Sequence, residues 1–140
     1  MGDIEGLVQI YLDGRLVYET RNLFVRAGYN TLGGWLAGLN PAPPGAIAVG
    51  TGTAPASATD VALGNEVGRV ALSSSVLQAA YLVRLMGTFA AADAQGTLTE
   101  AGLFQTATPL AAGLYARTNI NVVKGNAQMS VVWQLIVPRG

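Results

Sequence analysis

Apolar and polar residues alternate with a period of two along much of this chain, the spacing of strands with one buried side. In LVQIYLDGRLVYE, residues 7–19, Val8, Ile10 and Leu12 fall on one side of an extended segment. Asp13-Gly14 follows, between two runs rich in strand formers, and that pair is the strongest short hairpin signal. On the returning strand Leu16 and Tyr18 share a side opposite Arg15, Val17 and Glu19.

The period then changes. In NLFVRAGYNTLGGWLAGLN, residues 22–40, Leu23, Phe24, Ala27, Leu32, Trp35, Leu36 and Leu39 recur at helical spacing. The pattern predicts a helix over about 23–38, with Asn22 as N-cap and Asn40 before Pro41 as the stop. Gly28, Gly33, Gly34 and Gly38 weaken it, each by up to about 1 kcal/mol, and the helix is expected to break near Gly33-Gly34 if anywhere. Glycine on one side could instead let the helix lie close against a sheet.

NPAPPG, residues 40–45, reads as a rigid connector because proline fixes its backbone and cannot donate to a ladder. A short strand at residue 46 leads into a long loop of small and polar residues over about 50–66, a length that usually serves binding or orders on a partner. Further strands are expected at 69–78, 80–92, 96–105, 113–123 and 129–137, with turns at 93–96, 106–113 and 124–128. Seven or so short strands and one early helix predict a single, mainly β domain over residues 1–140. Its expected form is an antiparallel β-sandwich or barrel-like (jelly-roll-type) fold with an N-terminal hairpin and one α-helix.

Composition adds a second expectation. Charged residues are 11% of the chain and apolar residues 51%, whereas about a quarter of a typical domain is charged. Eight acids and eight bases make a thin polar skin, so a partner subunit is expected to cover part of the surface. The bases are scattered and the net charge is zero, which disfavours nucleic acid. The longest apolar runs, such as VLQAAYLV, are too short to cross a bilayer, so no membrane partner is expected. MGDIEG carries Asp3 and Glu5 where a signal peptide would be basic, and it lacks the hydroxyl residue of a myristoylation site. Seven of the eight bases are Arg, only Lys124 being Lys, which fits a GC-rich source, a thermophile among them.

With no His and no Cys, disulfides and most zinc, haem and iron–sulfur chemistry are excluded. The carboxylate that stands out is Glu100, in GTLTEAGLF. On a regular strand it shares a side with Leu98, Gly102 and Phe104. General acid–base work requires a second group to divide the labour, and only Asp93 is near in sequence. Glu100 therefore reads as half of a structural ion pair with an Arg on a neighbouring strand, Arg117 or Arg84, with Arg117 preferred. GTGTAP, residues 50–55, lacks the Lys and Ser/Thr of a nucleotide-binding loop and reads as a tight turn. The Ser73–Ser75 run has neither a base nor an elbow motif. The remaining acids are too dispersed for calcium. Trp35 and Trp133 read as core residues. No catalytic, cofactor-binding or metal-binding residue is assigned, and the chain is expected not to be an enzyme.

Taken together, IAVGTGTAPASATDVALGNEVGRV, LTEAGLF and LYARTNINVVKGNAQMSVVWQLIV resemble the small β-structured virion proteins of tailed bacteriophages. The matching positions are Gly50 to Thr53, Thr59 to Glu66, Glu100 to Phe104 and Met129 to Val137, within segments covering about two-thirds of the chain. The resemblance implies a capsid decoration, or cement, protein on the outer surface of the virion. Its implied partners are the major capsid protein and itself, as a homo-trimer. The alternative it implies is a tail-fibre or minor tail module that recognises host surface glycans. The opening hairpin and helix lie outside the match. Ile4, Val8 and Tyr11, in the N-terminal segment 3–12, are the expected partner contacts, together with the long loop.

Overall fold

A computed structural model describes residues 4–39, 41–79, 81–108 and 113–137. The elements are β1 (Glu5–Leu12), β2 (Arg15–Phe24), α1 (Arg26–Leu36), β3 (Ala46–Gly50), β4 (Glu66–Ala71), β5 (Ser74–Ala79), β6 (Leu82–Phe89), β7 (Thr97–Phe104), β8 (Leu114–Val123) and β9 (Met129–Ile136). All pairings are antiparallel, in the order β4-β3-β7-β8-β2-β1-β9-β6-β5, and the sheet curls into a half-barrel. The mainly β, barrel-like reading of the sequence is the fold that forms.

The curl buries one continuous core. Ile47 and Leu103, from the β3–β7–β8 half, join Leu85, Phe89, Val131 and Trp133 of the other half in a single cluster. The halves meet at Gly87 of β6, where a Cβ would sit 3.1 Å from Val70 and 3.4 Å from Ile47. The pattern predicted one strand over 69–78; the chain makes two. The N–H of Leu72 still bonds Gly45 beside β3, while the next N–H, Ser73, bonds Met86 of β6. One peptide thus moves the backbone from one half of the sheet to the other, so β4 and β5 form its two ends.

The hairpin forms at Asp13-Gly14, with φ of 48° and 83°, the positive pair that a two-residue turn of this hand requires. The facing of its second strand differs from simple alternation. Ile10 pairs with Tyr18 but Tyr11 pairs with Leu16, leaving Val17 as an extra residue. A bulge of this kind resets the alternation. Tyr18 packs on the core and Leu16 is turned outward, so the two do not share a side.

The helix also departs from expectation at both ends. Leu23 and Phe24 belong to β2, because they pair with Arg117 and Ala116 of β8. The sheet overrides the helical periodicity there, and the N-cap is Val25, with no side-chain capping bond. Asn22 instead faces Gly6 across β1–β2, in the space where a Cβ on Gly6 would stand. The helix does not break at Gly33-Gly34. It ends at Gly38, whose φ is 80°, with Gly38 N–H donating to Trp35 O and Leu39 N–H to Gly34 O. That paired closure satisfies the last carbonyls. Asn40, the expected stop, lies outside the described residues, as do residues 1–3 and 109–112 of the expected 106–113 turn. Trp133 is fully buried as expected, but Trp35 is half-exposed and Leu36 and Leu39 are exposed, so the C-terminal part of the stripe faces outward.

Gly28 seats α1 on β8. A Cβ there would stand 2.5 Å from the carbonyl oxygen of Tyr115 and 2.7 Å from the Phe24 ring, whereas a Cβ on Gly33 would meet nothing. Gly28→Ala is expected to lower the unfolding free energy by about 1–3 kcal/mol through overpacking. Gly33→Ala is expected to raise it by up to about 1 kcal/mol through helix propensity. Urea denaturation of the three proteins checks both, and equal midpoints would dismiss the close-approach argument.

Candidate functional site

The structure concentrates its buried polar chemistry on the outer side of β3, β7 and β8, beneath the long loop of residues 51–65. Glu100 is 0% exposed, and Arg117 is 2% exposed. The registers place Gly50 of β3 beside Glu100, and Glu100 beside Asn119 of β8. An irregularity between Leu98 and Glu100 shifts the β7–β8 register. Leu98 consequently lies in the main core with Ala101 and Leu103, while Phe104 packs in the second cluster with Ala48 and Leu114. Glu100 therefore shares its side with Gly102 and Phe104 but not with Leu98. The bulge is what alternation alone could not show.

Five donors converge on the Glu100 carboxylate. Gly52 N–H and Asn65 N–H reach Oε2 at 2.7 Å each, and Gly64 N–H reaches Oε1 at 2.7 Å. Arg117 adds Nη2 at 3.0 Å and Nε at 3.3 Å, both to Oε1. The glycines make this approach possible by lacking side chains. A Cβ on Gly52 would stand 2.5 Å from Oε2, and one on Gly50 would stand equally close to Oε2 while colliding with Asn65 O. Gly64 is held 3.2 Å from the Cα of Gly52 by the same measure. GTGT and LGNE are thus the two lips of a carboxylate cradle.

Arg117 carries the order outward. Its Nη1 donates to Asp60 Oδ2 at 2.9 Å and its Nη2 to Ala54 O at 2.9 Å. Asn119 donates to the same Ala54 oxygen at 2.9 Å and accepts from Ala56 N–H at 2.8 Å. Thr99 Oγ1 donates to Gly52 O at 2.9 Å, and the N–H of Arg26, at the start of α1, donates to Ala58 O at 2.8 Å. Of the two readings the loop's length offered, binding or ordering on a partner, ordering is supplied by its own chain.

Burial by itself pushes the Glu100 carboxyl upward. The amides of Asn65, Gly64 and Gly52, together with the Arg117 guanidinium, outweigh it and hold the group below the ordinary glutamate value of 4.5. The carboxylate is ionised at neutral pH and its acceptor positions are all engaged. As it stands, it is an anchor and offers no free lone pair to a substrate.

The other expected residues separate from this centre. Val8 is fully buried, so it serves the core and does not reach a partner. Its strand, β1, runs between β2 and β9 in the middle of the sheet and is not a terminal segment waiting to order. Ile4 is half-buried and donates its N–H to the Tyr29 hydroxyl at 2.9 Å. Tyr11 is half-buried on the outward side, paired with Leu16 and Ser130. Arg84, the second candidate for Glu100, is on β6 opposite Gln134 of β9, in the other half of the sheet. Periodicity missed the roles of Asp60, which lies within the matched Thr59–Glu66 segment, and of Asn119, which no local motif marks. It also missed Arg69, which grips Glu66 through two bonds of 2.6 and 2.9 Å and lies 3.8 Å over the Phe104 ring. Lys124, the lone lysine, is buried and donates to the carbonyls of Ala90 and Ala91.

No family model matches the chain, and no curated protein or solved structure compared with it does so either. The site is therefore read from its own geometry. Among the described residues, no group of three His, Cys, Asp or Glu side chains is placed to hold a metal ion. Concavities of about 410 Å³, beside Ile4, Asn22 and Tyr29, and about 380 Å³, between β2 and β8, lie at the margin of the loop. Among the described residues, Glu5 is the sole acid lining the first, and none lines the second.

Glu100→Gln is expected to cost about 3–5 kcal/mol, because it removes the charge that compensates a buried guanidinium. Hydrogen exchange should show the Gly52, Gly64 and Asn65 amides losing protection first. Since the folded-state value is depressed, the stabilisation is complete above the unfolded-state value and fades as pH falls through the folded-state one. Denaturation midpoints of the wild type should therefore decline as the pH drops below 4.5, and Glu100→Gln should flatten that decline. Parallel pH profiles for the two proteins would show that the cradle does not set the acid limit.

Proposed function

We propose that this chain is a structural virion protein, a capsid decoration protein that binds the assembled phage head and stabilises it in several copies. One observation carries the reading: the most elaborate polar constellation in the chain is turned inward on itself. Glu100, Arg117, Asp60 and Asn119 fix a loop against a sheet, and five donors already occupy the central carboxylate. That arrangement suits a part that must keep its shape under load. The outward surface supports the same reading, because Leu36, Leu39, Leu77 and Val123 are each more than two-thirds exposed. Where such residues adjoin, as Leu36 and Leu39 do at the end of α1, the apolar area marks contact with other proteins. The sequence resemblance adds the virion as the setting and the major capsid protein as the partner.

The mechanism is adhesion. Each copy buries apolar area on capsid subunits, and attachment at several points converts modest contacts into lasting ones through a high effective concentration. Ile4 and Tyr11 remain accessible candidates for such contacts, whereas Val8 does not. The half-exposed indole of Trp35 favours a second reading, a tail module that stacks on host glycans.

Purified protein mixed with expanded heads should co-sediment with them and raise their resistance to heat or chelator. Failure to bind heads, with retention on a glycan array that is lost in Trp35→Ala, would move the protein from head to tail. Turnover of any substrate that disappears in a still-folded Glu100→Gln would overturn both readings.

A further inference from the structure

We infer that the C-terminal end of α1 is a self-association surface, on which a second copy of this chain packs through the same patch. The inference is independent of the virion reading. Leu36, Leu39 and Trp35 stand 93%, 76% and 50% exposed within two turns of one another. Together they offer on the order of 400 Å² of apolar area, about half of what each partner of a stable interface buries. They are positioned rigidly. The paired closure at Gly38 fixes Leu39 against Gly34, with Pro41 packed on the same glycine, and Gly28 clamps the other end of the helix to β8.

The charge pattern selects the occupant. Residues 27–59 contain no Asp, Glu, Lys or Arg, the longest such stretch in the chain. In a symmetric contact each residue near the axis meets its own image, so any charge there would face a like charge. A neutral patch meets itself without that repulsion, and charge depletion is what the centres of interfaces show. A lipid surface fits less well. Helices that lie on membranes carry basic residues along the polar side, and α1 has none beyond Arg26, in its first turn. Gly33 lies on the exposed part of this helix with open space around its Cα, so a second helix can approach closely.

Sedimentation velocity over a broad concentration series tests the proposal. The wild type should show a concentration-dependent oligomer, and Leu36→Asp should raise the dissociation constant at least about tenfold. Val67→Asp, equally charged but on β4, should leave it unchanged. Circular dichroism and melting establish that each variant is folded. Should Leu36→Asp not fold, the milder Leu36→Ser, followed in the same concentration series, keeps the test open and should also weaken association. A wild type that stays monomeric at every concentration overturns the inference. So does association that survives undiminished in folded Leu36→Asp or Leu36→Ser. Monomeric binding to neutral phosphatidylcholine vesicles would overturn it in favour of a lipid surface.

Discussion

A carboxylate with no contact with water has to be neutralised or surrounded by donors, and this fold surrounds it. Three main-chain N–H groups and one guanidinium meet at Glu100. The requirement propagates in every direction. It demands glycine at positions 50 and 52, where a Cβ would stand 2.5 Å from Oε2. It draws Arg117 into a buried position on β8, and Arg117 in turn fixes Asp60 and the Ala54 carbonyl. A loop of small residues, with little apolar area of its own to hold it down, is tied by these bonds to the strands below. The ion pair is weak evidence of net stability, since desolvation opposes it, but it defines one loop conformation against many alternatives.

The sheet gives that loop a floor. Alternate residues of β3 and β7 divide between two layers: Ile47, Val49 and Leu103 look into the curl, while Ala46, Ala48 and Phe104 support the loop and helix. Small residues on the outer layer let the covering chain settle close. The other half of the sheet has no comparable cover among the described residues, and its outward side mixes Gln9, Gln134 and Arg84 with Leu7 and Met86. The two outer surfaces are therefore chemically distinct, one closed by its own chain and one open.

Much of this was legible in the sequence. Period-two patterning and Asp13-Gly14 marked the hairpin, and the Glu100–Arg117 pairing followed from the lack of any other chemical role for the acid. What was hidden has a common cause, namely that tertiary pairing decided it. Leu23 and Phe24 fit a helical stripe but are claimed by β8. Val17 and the Leu98–Glu100 irregularity reset the alternation in ways that residue type does not signal. The strand over 69–78 divides because one peptide changes partners, a decision made by Gly45 and Met86 far away in sequence. The glycine-rich GTGT segment was recognised as a turn, but its purpose became visible only once the acid it enfolds, about fifty residues later, was placed beside it.

The cradle also constrains how this molecule can change over time. Gly50, Gly52, Gly64 and Glu100 are scattered through the chain yet behave as one heritable trait, since a side chain at 50 or 52 crowds the acid, one at 64 presses on Gly52, and altering the acid takes from Arg117 its fully buried partner. Lineages sharing this architecture should keep the quartet or replace it wholesale with apolar residues, and intermediate combinations should be rare.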